Sequence, residues 1–367
     1  MPSFARVIRE AYAEVLAREP DPAGLADYDR SMNQGLSEAG LRELLLRSRE
    51  FALRFPDAQL ASRLGLNVHV PDDTILDHVA RDLGIGWIRV DFDWYRIQPE
   101  PARFDWEPLD RVIDQSARFG LEVLATLAYT PAWASSHPAS PSISDPPADP
   151  RFWTDIVRVA LERFRGRVRH WQFWNEPNIR EFWNGTMVQY RTGILEPAAE
   201  VARSVDPSLR IVAPGLANLR DWREWFRETM NARDSIDIVN HHNYADSGRD
   251  AIADLERDRF LRPSLRTLLR EEGVEDRPFW LTETGRRSDA GNQREYYEDV
   301  FVVLQEKAWV NRVFFFHYTD GPGQGDGGFG IVAEDLTPKP AYHALRAVVR
   351  AASADLPPGF SRSPSPR

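Results

Sequence analysis

Between residues 64 and 352, short apolar runs of strand length alternate eight times with longer helical stretches. The runs are Leu64–Val70, Gly86–Asp91, Leu121–Leu127, Trp171–Glu176, Arg210–Pro214, Ile236–Asn240, Pro278–Glu283 and Val313–Phe316. The intervals carry their own start and stop signals. Asp72-Asp73 opens a helix to Leu83, Leu109-Asp110 opens one that ends near Gly120, Phe152 to Phe164 forms another, and Ala341 to Ala352 the last. Strands separated by helices pair in parallel, and eight such units close on themselves. A barrel of this kind needs about 250 residues plus extensions, which a 367-residue chain supplies. The predicted fold class is α/β, a (β/α)8 TIM barrel.

The fourth and seventh runs end alike. Trp171-Gln172-Phe173-Trp174-Asn175-Glu176-Pro177 is aromatic enough for a buried strand, and Pro177 cannot extend a ladder. Pro278-Phe279-Trp280-Leu281-Thr282-Glu283-Thr284-Gly285 repeats the scheme, with Gly285 as the breaker. Both glutamates therefore fall at C-terminal strand ends, where barrels of this type carry catalytic groups. A pair of carboxylates there suits cleavage of a glycosidic bond, one as proton donor and the other as nucleophile or base.

Asn-Glu-Pro after one aromatic strand and a Glu after another, in this order and 107 residues apart, resemble the motifs of the clan A retaining glycoside hydrolases. The resemblance spans roughly residues 62–352 and is nearest the branch around families 5 and 39. It implies that Glu176 is the acid/base and Glu283 the nucleophile. Trp94, Pro99, Phe104, Asp105, Trp106 and Asp110 look like that branch's signature after strand 2, where their work is structural. Arg89 is a charge in an apolar run and needs a partner. Asp91 or Asp93 could serve, whereas the resemblance implies that Arg89 keeps the nucleophile ionised. Asn175 can bond the sugar 2-hydroxyl beside the cleaved bond. His242 and Tyr244 match the clan's His-x-Tyr after strand 6, with the Tyr hydroxyl on the nucleophile and the His beside the acid/base. Tyr129, Trp133 and Trp183, in loops after strands 3 and 4, offer flat faces to a sugar or pack in the core. The clan's usual Trp at the end of strand 8 is missing from Phe314-Phe315-Phe316-His317-Tyr318, and Phe315 and His317 are the candidates to replace it as the floor of the sugar site.

Composition narrows the rest. Lys and Arg number 46 against 56 Asp and Glu, a net charge of −10. Such a chain has no overall field for nucleic acid or an anionic membrane. Cysteine is absent, which removes disulfides, a thiol nucleophile and Cys-based metal sites. His241-His242 stands without further ligand spacing, so no metal and no cofactor are expected. No apolar run reaches the 18 or so residues of a membrane span. Residues 1–17 lack the apolar core of a secretory signal. The expected location is the cytoplasm, with signal-less export as the alternative.

Residues 1–57 read as a small helical module, residues 58–355 as the barrel and residues 356–367 as a Pro/Ser-rich disordered tail. In the module, Ala11, Val15 and Leu16 share a helical face, Ala23 to Met32 form a second helix, and Ser37 caps a third that runs to Phe51. Arg18, Pro20, Asp21, Gly24, Leu25, Ser48, Glu50 and Phe51 resemble a short bacterial domain of unassigned function, which has Gly where this chain has Ala17. The expected activity is retaining hydrolysis of β-type glycosidic bonds in an oligo- or polysaccharide, through a glycosyl-enzyme. The alternatives are a transglycosylase using the same intermediate, or a catalytically silent barrel that binds polysaccharide. The module holds no candidate catalytic group. A chain shortened to begin near Gln59 is therefore expected to fold and to cleave small aryl glycosides with little change in kcat/KM, and insoluble product alone would show the module to be a structural cap.

Overall fold

The computed structural model describes residues 4–16, 18–46, 62–219, 221–260, 262–321 and 328–354. The expected tail, the module boundary near residue 57 and the motif residues Ala17, Ser48, Glu50 and Phe51 lie outside that set. Three helices precede the barrel: α1 (Ala5–Leu16), α2 (Pro22–Asn33) and α3 (Glu38–Leu46). Asp21 caps α2 through the Gly24 amide at 2.8 Å, and Pro22 occupies the first turn, where a missing N–H costs nothing. Ser37 accepts the Gly40 amide at the start of α3. The three helices bury Ile8, Ala11, Tyr12, Val15, Leu16, Met32, Leu41 and Leu45 against one another.

The barrel strands are β1 (Leu64–His69), β2 (Trp87–Asp93), β3 (Glu122–Ala128), β4 (His170–Phe173), β5 (Arg210–Val212), β6 (Val239–His242), β7 (Phe279–Thr284) and β8 (Val310–Phe315). All neighbouring pairs are parallel, in the order β5-β4-β3-β2-β1-β8-β7-β6. A parallel bridge between Val212 and Ile238 joins the two ends of this sheet and closes it. Helices such as Glu107–Phe119, Pro150–Arg163, Gln293–Glu306 and Pro340–Ala354 cover the outside. None of the described helices is long and apolar enough to cross a membrane.

The period-two alternation of a strand sorts each side chain to the helix layer or the barrel interior. On β2, Phe92 faces out, edge-on to Phe164 and Trp171 at 5.3 and 5.1 Å. Trp87, Arg89, Asp91 and Asp93 occupy the other parity and face in. The interior fills in layers. Its base is apolar: Trp87, Leu124, Val212, Ile238, Trp280 and Phe314. Gly65 makes room for this plug, since a Cβ there would sit 2.4 Å from the Phe314 ring. Above it lies a polar layer in which Asn67 donates to the carbonyls of Thr282 and Phe315 at 3.0 and 3.1 Å, and Asn240 donates to Gln172 at 3.0 Å.

Two strands depart from the sequence reading. β4 leaves the ladder at Phe173, short of the expected Glu176. Trp174 takes a left-handed φ of 75° and its indole donates to the Phe182 carbonyl at 2.8 Å, while Glu176 has φ 40°. β7 carries an extra residue: His241 opposes Leu281, but His242 opposes Glu283. The irregularity at Thr282 lets two consecutive side chains, Thr282 and Glu283, both reach the interior, as β-bulges beside active sites do. The base layer should dominate stability here. Trp280→Ala is expected to cost about 3–5 kcal/mol in urea unfolding; a loss under 1 kcal/mol would show that the plug is not tightly packed.

Candidate active site

The layer above the polar one opens at the C-terminal ends of the strands into a cavity of about 430 Å³. Its lining includes Asn67, His69, Arg89, Asp91, Asp93, Thr126, Tyr129, Asn175, Glu176, Tyr244, Glu283 and Phe316. A larger cavity, about 610 Å³, lies among the segments entering β3, β4 and β5 at the opposite end. It gathers none of the candidate residues.

Arg89 anchors the site. It is 3% exposed, and its Nη1 donates to Glu283 Oε1 at 2.6 Å and to Asn67 Oδ1 at 2.8 Å. Its Nη2 donates to Asn175 Oδ1 at 2.7 Å. Glu283 Oε2 accepts the Tyr244 hydroxyl at 2.7 Å. Burial alone would raise the Glu283 carboxyl, but the Arg89 charge and the bonds from Tyr244 and Arg89 hold it below the usual carboxylate range. Asp91 and Asp93, the other partners open to Arg89 in the sequence, bond elsewhere.

Glu176 lives in a different setting. Its backbone N–H donates to the Gly215 carbonyl at 3.1 Å, which fixes the turn after β4. Oε1 lies 2.8 Å from His242 Nδ1. Burial pushes its carboxyl up and the Glu283 charge adds to the rise; the Arg89 charge pulls the other way, as would His242 only if it carried a charge. One carboxyl is thus biased toward the acid and its neighbour toward the anion. Ligating atoms of Glu176, His242 and Glu283 all lie within 4.8 Å of one another. Arg89, Tyr244 and His242 already engage these carboxylates, so the trio satisfies itself by hydrogen bonds rather than waiting on a cation. Gly215 is required beside it: a Cβ there would fall 1.8 Å from His242 Nε2.

Of the residues expected at the site, Glu176, Glu283, Arg89, Asn175, His242, Tyr244 and Tyr129 converge on it. His242 meets the carboxyl of Glu176 without lining the cavity, and the other four stand apart from the pair and the cavity alike. Trp133 is half-buried, donates to the Gln98 carbonyl at 2.9 Å and packs on Trp94 and Phe152. Trp183 is 2% exposed and lies 4.9 Å from the Trp174 ring, bonded to the Thr186 carbonyl. Both are scaffolding for the loops. Phe315 faces the helix layer, 4.4 Å from the Tyr297 ring. Phe314 points into the base, so Phe316, two residues on, is the side chain that rises into the cavity, with Phe329 beside it at 5.9 Å. His317 is fully buried, follows a cis peptide, and finds no partner for either ring nitrogen among the described residues; burial pushes it down to about 4. His241, beside His242, also faces out, against Trp222 at 4.6 Å.

Sequence reasoning missed the wall formed by β1 and β2. His69 Nδ1 bonds Asp91 Oδ2 at 2.7 Å. Asp93, one step nearer the mouth, is pushed up to about 7 by burial and by the Asp91 charge. The signal was available, because Arg89, Asp91 and Asp93 share the parity of one strand face.

An eightfold parallel barrel with one glutamate just after strand 4 and another at the end of strand 7, the latter held by an arginine on strand 2, is the clan A glycoside hydrolase arrangement. Within that class the chain belongs to glycosyl hydrolases family 39, whose sequence profile matches residues 75–353. It is 23% identical to a β-xylosidase of Geobacillus stearothermophilus over 66% of this chain and 55% of the relative. Identity to a β-xylosidase of Caldicellulosiruptor saccharolyticus is 24%, over 71% of this chain and 60% of the relative. The chain thus spans little more than half the length of these curated relatives. The fold is similar to that of a monomeric β-xylosidase from Caulobacter crescentus CB15, with TM-score 0.63 at 19% identity, covering 77% of this chain and 67% of that one. A family 39 glycoside hydrolase from Bacteroides cellulosilyticus WH2 superposes with TM-score 0.62 at 19% identity, over 80% of this chain and 64% of that one.

Arg89 supplies a testable sign. Without its charge, burial of Glu283 goes less opposed and the carboxyl rises, so in Arg89→Met the acid limb of the kcat/KM profile should move to higher pH. Removing one member of a buried pair should also cost about 3–5 kcal/mol of stability. A variant with an unmoved acid limb would separate Arg89 from the ionisation of Glu283.

Proposed function

We propose that this protein hydrolyses β-glycosides with retention of anomeric configuration, by double displacement through a glycosyl-enzyme. Glu283 attacks the anomeric carbon while Glu176 gives its proton to the departing glycosidic oxygen. Glu176, now a carboxylate, takes a proton from water as that water displaces Glu283, and each group returns to its starting state. The observation that carries this reading is the approach of the two carboxyl groups, with atoms within 4.8 Å. Retaining enzymes hold their pair about 5–5.5 Å apart, whereas inverting enzymes need about 6.5–9.5 Å to admit a water between them. The opposed environments of the two groups support the same assignment.

The neighbours have roles in this scheme. Arg89 and Tyr244 orient both oxygens of Glu283, leaving its charge aimed at the cavity. The Oδ1 of Asn175 is taken by Arg89, so its NH₂ is the end that can donate to a sugar 2-hydroxyl beside the cleaved bond. The substrate is a carbohydrate, and a β-xyloside is the first to test because the curated relatives are β-xylosidases.

Proton NMR of the first-formed product from an aryl β-glycoside, read before mutarotation, should show the β-anomer; an α-product would sink the mechanism. Glu176→Ala should lose about 10²–10⁴-fold on substrates with poor leaving groups yet retain much of the first step on activated aryl glycosides. Equal losses on both kinds of substrate would remove Glu176 from the acid/base role. A bound oligosaccharide that stays intact would favour a silent binding barrel instead.

A further inference from the structure

A chain of hydrogen bonds inside the barrel has a fixed direction. Gln172 Nε2 donates to the Trp174 carbonyl at 2.9 Å, which leaves Gln172 Oε1 as an acceptor. Asn240 Nδ2 donates to that oxygen at 3.0 Å and to the Ala213 carbonyl at 3.1 Å. Carbonyl oxygens only accept, so both amides have one permitted orientation. Asn240 Oδ1 then accepts the Thr282 hydroxyl at 2.8 Å and the Thr282 backbone N–H at 3.3 Å. A threonine hydroxyl has a single hydrogen. Once it is given to Asn240, Thr282 Oγ1 can only accept from His242 Nε2, which lies 3.0 Å away. That nitrogen must carry a hydrogen. In a neutral imidazole the other nitrogen, Nδ1, is then bare, and it faces Glu176 Oε1 at 2.8 Å. Gln172, Thr282 and His242 are 0% exposed and Asn240 1%, so bulk water does not loosen the pattern.

We propose that Gln172, Asn240 and Thr282 are positioning residues that lock His242 in its Nε2–H tautomer, so that Nδ1 accepts a hydrogen bond from the protonated carboxyl of Glu176 and keeps the acid loaded between turnovers. The inference rests on Glu176 being the acid/base. A charged His242 would donate to Glu176 and favour its carboxylate; the locked neutral tautomer favours the carboxylic acid. Glu283, Arg89 and Tyr244 are the other ionisable groups about the pair, and Glu283 Oε2 lies 3.4 Å from the same Nδ1. No proton travels along the chain. The one on Glu176 goes to the glycosidic oxygen and is replaced from the attacking water, while Nε2 keeps its hydrogen throughout.

Nitrogen NMR on histidine-labelled protein tests this without turnover, with the His242→Gln spectrum assigning the resonances among the eight histidines. Near neutral pH, His242 should show a protonated Nε2 and a bare Nδ1. In Thr282→Val the tautomers should mix and the basic limb of kcat/KM should move to lower pH, while Thr282→Ser should restore both. A purely structural role for Thr282 would change stability and leave the limb in place. An imidazolium or an Nδ1–H tautomer in the unaltered protein would overturn the proposal, as would a Thr282→Val protein with unchanged tautomer and limb. Should Thr282→Val fail to fold, the spectrum of the unaltered protein decides. Absence of any glycosidase activity would sink the acid/base reading of Glu176, while the tautomer measurement would still decide the hydrogen-bond lock by itself.

Discussion

A guanidinium buried inside a barrel must be surrounded by acceptors or it expels itself from the fold. Arg89 meets most of that demand with one oxygen each from Asn67 on β1, Asn175 after β4 and Glu283 on β7, while its Nε finds no partner among the described residues. Because the fork of the guanidinium is rigid and planar, those three side chains have little freedom once Arg89 is in place. Much of the site's geometry is thus a consequence of neutralising a single charge. The carboxylate proposed as nucleophile is the same one that makes the arginine tolerable, so in that reading catalytic competence and stability share an interaction. Separating them by mutation is correspondingly hard.

The barrel and the two glutamates that converge at its mouth were legible because they are written in local grammar. Eight strand-length runs, turn residues after Glu176 and Glu283, and a lone cation in the run around Arg89 need no knowledge of tertiary contacts. What failed was parity and depth. On β8 the expectation fell on Phe315 and His317, although a strand that buries Phe314 in the base must present Phe316 above it. Trp133 and Trp183 looked available because they lie in loops, yet each indole N–H finds a main-chain carbonyl that ties it into the wall. The bulge at Thr282 left no mark in the sequence; it becomes visible only when His241 and His242 are seen to skip a residue of β7.

Backbone conformation at the mouth follows from the same crowding. His69, Tyr129, Trp174 and Glu176 all have positive φ, between 40° and 75°, and each lies at or just beyond the end of β1, β3 or β4. Bulky residues there cost of order 1–3 kcal/mol each, and no propensity scale would place them so. The turns swing side chains from the strand direction across the opening. For Glu176 the result is a carboxyl facing His242 instead of continuing the ladder. The helices and the apolar base supply the stability that such strain consumes.

The apolar plug beneath the polar layer has a consequence for traffic. With Trp87, Trp280 and Phe314 filling the floor, the described residues leave the chamber open at the C-terminal ends of the strands and closed beneath. In the proposed reaction the sugar released from Glu283 leaves through the same opening by which the next substrate enters, past Tyr244, Phe316 and Phe329. Arrival and departure are therefore mutually exclusive events. In that scheme released product competes with substrate for the vacant chamber and slows turnover by occupancy.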